Sequence, residues 1–507
     1  MSQTDELYYK VRVTGVLKCL SPMHIGSGDA EYQSDRRQTT RPESTEKGQY
    51  ATVCLGAAGV PYLPGSSLRG FLRYVAENNL DQGTAWRLFG NVEEPRPDTD
   101  GKGRSYYGAL RIYNAIYRTG PTPINNGQWD SQRHTTIRQN VKLEPITLTA
   151  EERKLFSFEY VPSDSEFDFL LEAENLLATD LEAVSCLLCS WDGGVGSSIG
   201  RGKSRMQGRV QWKVGEQVIK VMRQDDVQNW LKSDKPLENF LHPLAVPLSQ
   251  TVMFPPLNLP FISFRIVPDA PMLVNDPSYV GRKPKSAEEK KNANIPDLEF
   301  SRMAGGKPLI PASSLRGLLR GRARRIVATI LLDSGVEDLQ KAGEKAETFI
   351  RQLFGKEENR SLVWLGDAVA ETAATYQHNQ YFNAVDRFTG GVAEGKLYQV
   401  AARTGGKYRG MASLDMGRIE TLQKEAGLSD WWKGLLLLVL RDALEGELAV
   451  GWGKARGYGA FHCILEIQGN VLDDWPGLLA YLQQKSQNAQ DWIDALHNEL
   501  DRIAAHD

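Results

Sequence analysis

The 507-residue chain carries 60 basic and 63 acidic residues for a net charge of −3, so no global positive field draws it to nucleic acid, and any such site must come from local clusters. That length exceeds what one core fills and predicts two to four domains. Five cysteines make no disulfide framework in a chain this long, the first residues are polar and acidic rather than signal-like, and no apolar run approaches membrane-spanning length, so a cytoplasmic protein with no membrane partner is expected.

In chain order, residues 8–20 alternate apolar and polar and predict a half-buried strand that ends in a glycine-rich turn around His24, Gly26 and Gly28. A polar loop follows over 31–48. Pro64-Gly65-Ser66-Ser67-Leu68-Arg69-Gly70 then reads as a serine-capped turn opening a helix to about residue 80. Leu68, Phe71 and Leu72 fall on one apolar face, while Arg69 and Arg73 lie four apart on another. A short helix ends at Leu88-Phe89-Gly90, and a strand is predicted over 109–117. Residues 128–162 are a basic excursion containing Arg138, read as a projecting hairpin. A strand over 167–171, a helix over 181–191 and a glycine-rich run from Gly193 to Gly208 lead to a strand through Trp212. Residues 216–258, rich in proline, read as a connector.

The second half repeats that order. Ser313 lies 247 residues after Ser66, inside Pro311-Ala312-Ser313-Ser314-Leu315-Arg316-Gly317, with Arg320 and Arg324 continuing the basic face. Leu353-Phe354-Gly355 repeats Leu88-Phe89-Gly90. A second excursion over 376–400 contains Asp386, Arg387 and Phe388, and an apolar helix over 431–444 leads to a second glycine-rich run, 450–459. Matched landmarks in one order indicate duplication. The domains are 1–215, the connector 216–258, 259–470, and a helical tail over 471–507. Strand–helix–strand twice per half is the split βαβ pattern, so the expected class is α+β: two tandem ferredoxin-like, RNA-recognition-motif-like units, each with an inserted hairpin.

The run Gly200-Arg201-Gly202-Lys203-Ser204-Arg205 is not a phosphate loop. The glycine spacing is wrong by one residue, and the segment leaves a helix for a strand, the reverse of what a phosphate loop does. Its glycines allow close approach and an anion nest, and the cations Arg201, Lys203 and Arg205, matched by Lys454 and Arg456, suit a phosphodiester backbone.

The turn P-G-S-S-L-R-G opening a helix, paired with the late loop Gly451-Trp452-Gly453-Lys454-Ala455-Arg456-Gly457-Tyr458-Gly459, resembles the RAMP superfamily of CRISPR-associated proteins. His24-Ile25-Gly26-Ser27 is similar to a turn of the backbone (Cas-seven) subunits of type III effector complexes, and Asp386-Arg387-Phe388-Thr389-Gly390-Gly391 resembles part of their thumb hairpin. The resemblance covers roughly 7–212 and 259–467. It implies a tandem fusion of two backbone subunits, as in subtype III-D, in a prokaryotic cytoplasm. The partners implied are guide RNA (crRNA), target RNA and the backbone, cap, small and large subunits. It further implies guide contacts by His24, Ser66, Ser67, Arg69, Arg73, Arg201, Lys203, Arg205, Ser313, Ser314, Arg316, Arg320, Lys454 and Arg456. Arg138, Asp386, Arg387 and Phe388 would serve the thumbs. A loop aspartate before the capped helix would cut target RNA with a divalent metal ion, magnesium.

RNA supplies its own nucleophile, the 2′-hydroxyl, so one aspartate per site can suffice. Asp297 lies fourteen residues before Pro311, on the corresponding loop, with Asp276 as the alternative. The matching position in the first half is Tyr50, which leaves Asp35, and after it Asp29, as candidates there. The metal ligands are not identifiable. Competing readings are a non-catalytic guide-binding or cap subunit, and a stand-alone RNA-processing endonuclease.

Overall fold

The computed structural model describes residues 6–32, 49–92, 105–121, 129–143, 150–194, 196–244, 261–275, 296–303, 305–355, 360–371, 376–392 and 397–505. In the first half, strand Leu7–Cys19 is central. It pairs antiparallel with Glu166–Leu177 on one side, and with Val210–Trp212 and Val218–Met222 on the other. Glu166–Leu177 pairs in turn with Leu110–Ile112 and Ala115–Thr119, which a two-residue break separates where one strand over 109–117 was expected. In the second half Phe261–Pro268 lies between Tyr408–Leu414 and Ala460–Ile467, and Tyr408–Leu414 carries Val363–Leu365 and Ala368–Ala370. Each half thus has four core strand positions in the spatial order 4-1-3-2, all antiparallel, the ferredoxin-like arrangement.

Two helices cover each sheet. Helix Gly65–Asn79 buries Leu68 and Leu72, and Ala178–Cys189 buries Leu181, Val184, Leu187 and Leu188. Trp191 stacks on Phe71 at 5.4 Å and meets Phe169 edge-on. Helices Ala312–Asp333 and Trp431–Leu444 do the same work in the second core, where Phe349 meets Trp431 at 4.2 Å. The two cores are separate apolar clusters.

Two segments outside the repeat join these cores. The stretch read as a connector begins with Val218–Met222, whose alternation buries Ile219 and Val221 and adds a strand beside Leu7–Cys19. The tail forms helices Trp475–Gln484 and Ala489–Ala504. The second of these lies so close to Trp431–Leu444 that a Cβ at Gly434 would sit 2.2 Å from the Trp492 carbonyl oxygen. Leu496 and Leu500 are fully buried there, about 1.5–3 kcal/mol each.

Candidate nucleic-acid interface

The capped helices begin differently from the serine-capped turn expected. Their N-caps are Pro64 and Pro311, held at φ −58° and −62°, and neither proline has a side chain that can cap. The first helical N–H is satisfied from the break between two short strands: Gly65 donates to Asn114 Oδ1 at 2.9 Å, and Ala312 donates to Asp367 Oδ1 at 2.8 Å. The serines therefore sit inside the first turn, Ser66 exposed and Ser67, Ser313 and Ser314 half-buried.

The helix arginines turn inward. Arg69 donates to the carbonyls of Leu110 and Phe89 at 2.7 and 2.8 Å. Arg316 donates to the matching Phe354 carbonyl, and Arg320 to the Gly355 carbonyl at 3.1 Å and to Glu347. The bonds to Phe89, Phe354 and Gly355 satisfy the end of the following helix, where carbonyls lack intrahelical partners. Arg73 pairs with Glu77 one turn on.

The glycine-rich loops are framed alike. Ile199 N–H bonds Gly208 O, and Val450 N–H bonds Gly459 O, each at 2.9 Å. Gly208 and Gly459 have φ of +75° and +82°, and a Cβ on either would lie about 2 Å from the opposing carbonyl oxygen, Ile199 or Val450, so glycine is required at both. Each frame encloses a short 3-10 turn, Lys203–Arg205 or Lys454–Arg456.

The tip of the first loop reaches across to the other half, and to its capped helix. Arg316 Nη1 donates to Ser204 Oγ at 2.9 Å, and Met206, 2 % exposed, packs with Trp364 and Met411 of the second half. Cations meet across this joint. Burial, then the charges of Arg320 and Arg205, push the Arg316 guanidinium down to about 10. Burial, then Arg360, holds the Lys203 ammonium below its ordinary range. Arg201 and Arg205 lie over the Phe158 ring at 5.5 and 5.9 Å.

In the second loop, burial lowers Lys454. Arg456 lies over Trp452 at 5.1 Å and Phe382 at 5.4 Å and donates to the Tyr398 hydroxyl. Tyr458 completes that aromatic group. Sequence reasoning missed Asn114, Asp367, Met206 and this aromatic set, because each acquires its role only through distant partners.

His24 is 3 % exposed, and its Nδ1–H donates to the Glu159 carbonyl at 2.7 Å. Burial, which outweighs that bond, lowers its pKa, with Arg201 and Arg205 adding to the fall. From there its ring supports the turn. Arg138 of the first thumb pairs with Asp367 at 2.8 Å. In the second thumb, Asp386 Oδ1 accepts the N–H groups of Phe388 and Thr389, which lowers its pKa and closes a tight turn. Arg387 is exposed, and Phe388 is 98 % exposed at the tip.

The candidate acids separate clearly. Asp297 precedes strand Leu298–Glu299, which runs parallel to the thumb strand Tyr398–Thr404. Its backbone N–H donates to Gln399 O, and its Oδ2 accepts Gln399 N–H at 2.8 Å, yet the residue stays exposed. The same parallel register places Tyr50 in the first half. Tyr50 is 1 % exposed; its hydroxyl donates to Glu31 Oε2 at 2.6 Å, and Glu31 pairs with Arg133 at 3.0 Å. Asp29 is exposed in the hairpin strand Gly26–Tyr32. Asp35 and Asp276 lie outside the described residues.

Among the described residues no group of three or more His, Cys, Asp or Glu could hold a metal ion, and no helix is long and apolar enough to cross a membrane. A search of curated proteins finds no match. A family model described as the RAMP superfamily matches residues 16–207 and 267–462, one region in each half, and supports a CRISPR-associated RNA-binding subunit. Since those two regions make up well over half of the sequence, and each falls within one ferredoxin-like unit, the chain belongs to the RAMP superfamily.

Proposed function

We propose that the chain is a double backbone subunit of a type III CRISPR effector complex, holding guide RNA across the joint between its halves and cutting complementary target RNA from its second half alone. The carrying observation is the cation cluster at the joint. Lys203 and Arg205 of one half are set against Arg316, Arg320 and Arg360 of the other; Arg316 and Lys203 are held below their ordinary range first by burial and then by these neighbouring charges. A polyanion relieves that repulsion, and RNA phosphates are the polyanion the superfamily supports.

Cleavage falls to Asp297. Its carboxylate takes the proton of a target 2′-hydroxyl; the 2′-oxygen attacks phosphorus; the P–O5′ bond breaks as the departing oxygen takes a proton from water, leaving a cyclic 2′,3′-phosphate and a 5′-hydroxyl. One carboxylate suits magnesium, which binds through one or two carboxylates plus phosphates and would offset charge on the reacting phosphate when bound. In the first half the corresponding position is closed by Tyr50, and the carboxylate it reaches, Glu31, is spent on Arg133. That geometry favours a binding role there, the non-catalytic alternative confined to one half.

Guide-RNA affinity measured across a salt series tests the grip. Lys203→Gln with Arg205→Gln should weaken binding and reduce the salt slope by about 2, one per cation. An unchanged slope rejects the joint as the grip.

A further inference from the structure

We infer that the joint between the halves is a keyed contact whose key occurs once per chain, so that a second copy cannot continue the row at either end. The key follows from the duplication and the contacts alone, whether or not RNA is cut.

A contact from the loop of one unit to the helix turn of the next is head-to-tail. If its residues recurred on the outer surfaces, copies would add without limit. Equivalent positions follow from strand register and loop frame. Arg138 pairs with Phe158 as Gln380 pairs with Val400. Those partners correspond because Ala51 and Leu298 face them in matching parallel pairs. In the loops, the frame bonds from Gly208 and Gly459 align Ser204 with Ala455 and Met206 with Gly457. On the receiving side, the pairs Ala115–Leu63 and Ala368–Ile310 align Asn114 with Asp367 and Arg111 with Trp364.

Every element of the key is therefore lost outside the joint. The inner contact has an ion pair, Arg138 to Asp367 at 2.8 Å; the outer faces offer Gln380 and Asn114. The inner contact seats Met206 against Trp364; the outer faces offer Gly457, with no knob, and exposed Arg111, with no apolar seat. Arg316 finds the Ser204 hydroxyl; a loop with Ala455 has none to give. What persists in the outer loop is cationic, Lys454 and Arg456, and it would face Arg69 and Arg111 with no compensating contact. Retained repulsion with lost attraction discriminates against self-association.

Sedimentation velocity of the full chain without RNA tests the key. The wild type should remain monomeric over a wide concentration range. A loop-rebuilt variant (Gln380→Arg, Ala455→Ser, Gly457→Met) and a turn-rebuilt variant (Arg111→Trp, Asn114→Asp) should each stay monomeric alone and form a dimer when mixed. Thermal melting confirms that each variant is folded. Wild-type self-association that Asn114→Ala or Gln380→Ala weakens would overturn the inference. So would two folded rebuilt variants that fail to pair. The wild-type measurement stands by itself if a rebuilt variant misfolds.

Discussion

Asp367 is shared between two duties: one carboxylate oxygen accepts the first N–H of the second capped helix, from Ala312, and the other accepts Arg138 from the thumb of the first half. Replacing it with alanine removes a helix cap and a cross-joint ion pair together. Asp367→Ala is expected to lower stability by about 2 kcal/mol. Asp367→Asn should cost about half of that, because Asn114 shows that an amide oxygen satisfies the same N–H in the first half. Urea denaturation of the three proteins reads both values.

Arg205 is a charge that the free protein holds against Arg316. Arg205→Gln is expected to leave the melting temperature of the RNA-free chain unchanged or raised, while weakening RNA binding. A drop in both would mean that Arg205 is a stabilising residue rather than a held-open grip.

Asp297→Asn keeps an oxygen for the Gln399 N–H and removes the base. With guide RNA and partner subunits present, labelled target RNA should show one cut attributable to this chain, reduced about 10²–10⁴-fold in the variant, with guide affinity unchanged. A 2′-deoxy nucleotide at the cut should stop the wild type as well. Persistence of cleavage on the deoxy substrate would exclude the 2′-hydroxyl as nucleophile.

Phe388 spends no burial on the fold, being 98 % exposed. Phe388→Ala should not move the melting temperature but should weaken target-RNA binding by about 1–3 kcal/mol, the worth of one aromatic–base stack. Titration of a fluorescent target into guide-loaded protein measures it.

His24 titrates with a defined sign. Its folded pKa lies below the ordinary 6.5, so the unfolded chain takes up the proton first. The stability it contributes is whole above that value and is lost as pH falls through the lowered folded pKa. His24→Gln should flatten the acid side of a curve of urea midpoint against pH, and a parallel shift of the whole curve would show that packing alone had changed.

Much of this architecture is legible in the chain because it depends on local pattern. Alternation in 8–20, the leucines at Leu68, Leu72 and Leu315, and the order of landmarks in both halves lead directly to two ferredoxin-like units. The N-caps were misread because serine after proline is a strong local signal, whereas Asn114 and Asp367 reach the helix from about fifty residues away in the chain. The strand Val218–Met222 was hidden by its proline-rich surroundings. The arginines posed a different difficulty: spacing shows that Arg69 and Arg316 occupy equivalent positions on their two helices but not that carbonyls of Phe89 and Phe354 lie within reach. Nor does the first half, considered alone, reveal that its loop lies beside the second half's helix.

The two glycine-rich loops hold one backbone course while their side chains diverge, arginine at 201 opposite tryptophan at 452, methionine at 206 opposite glycine at 457. The course is maintained by main-chain bonds to Pro22 and Pro271 and by glycines that no other residue can replace. Side chains mounted on such a mould can be exchanged without re-solving the fold. After duplication, one copy was free to become a plug for its neighbour and the other an aromatic platform, and the division of labour between the halves is written in substitutions that leave the scaffold untouched.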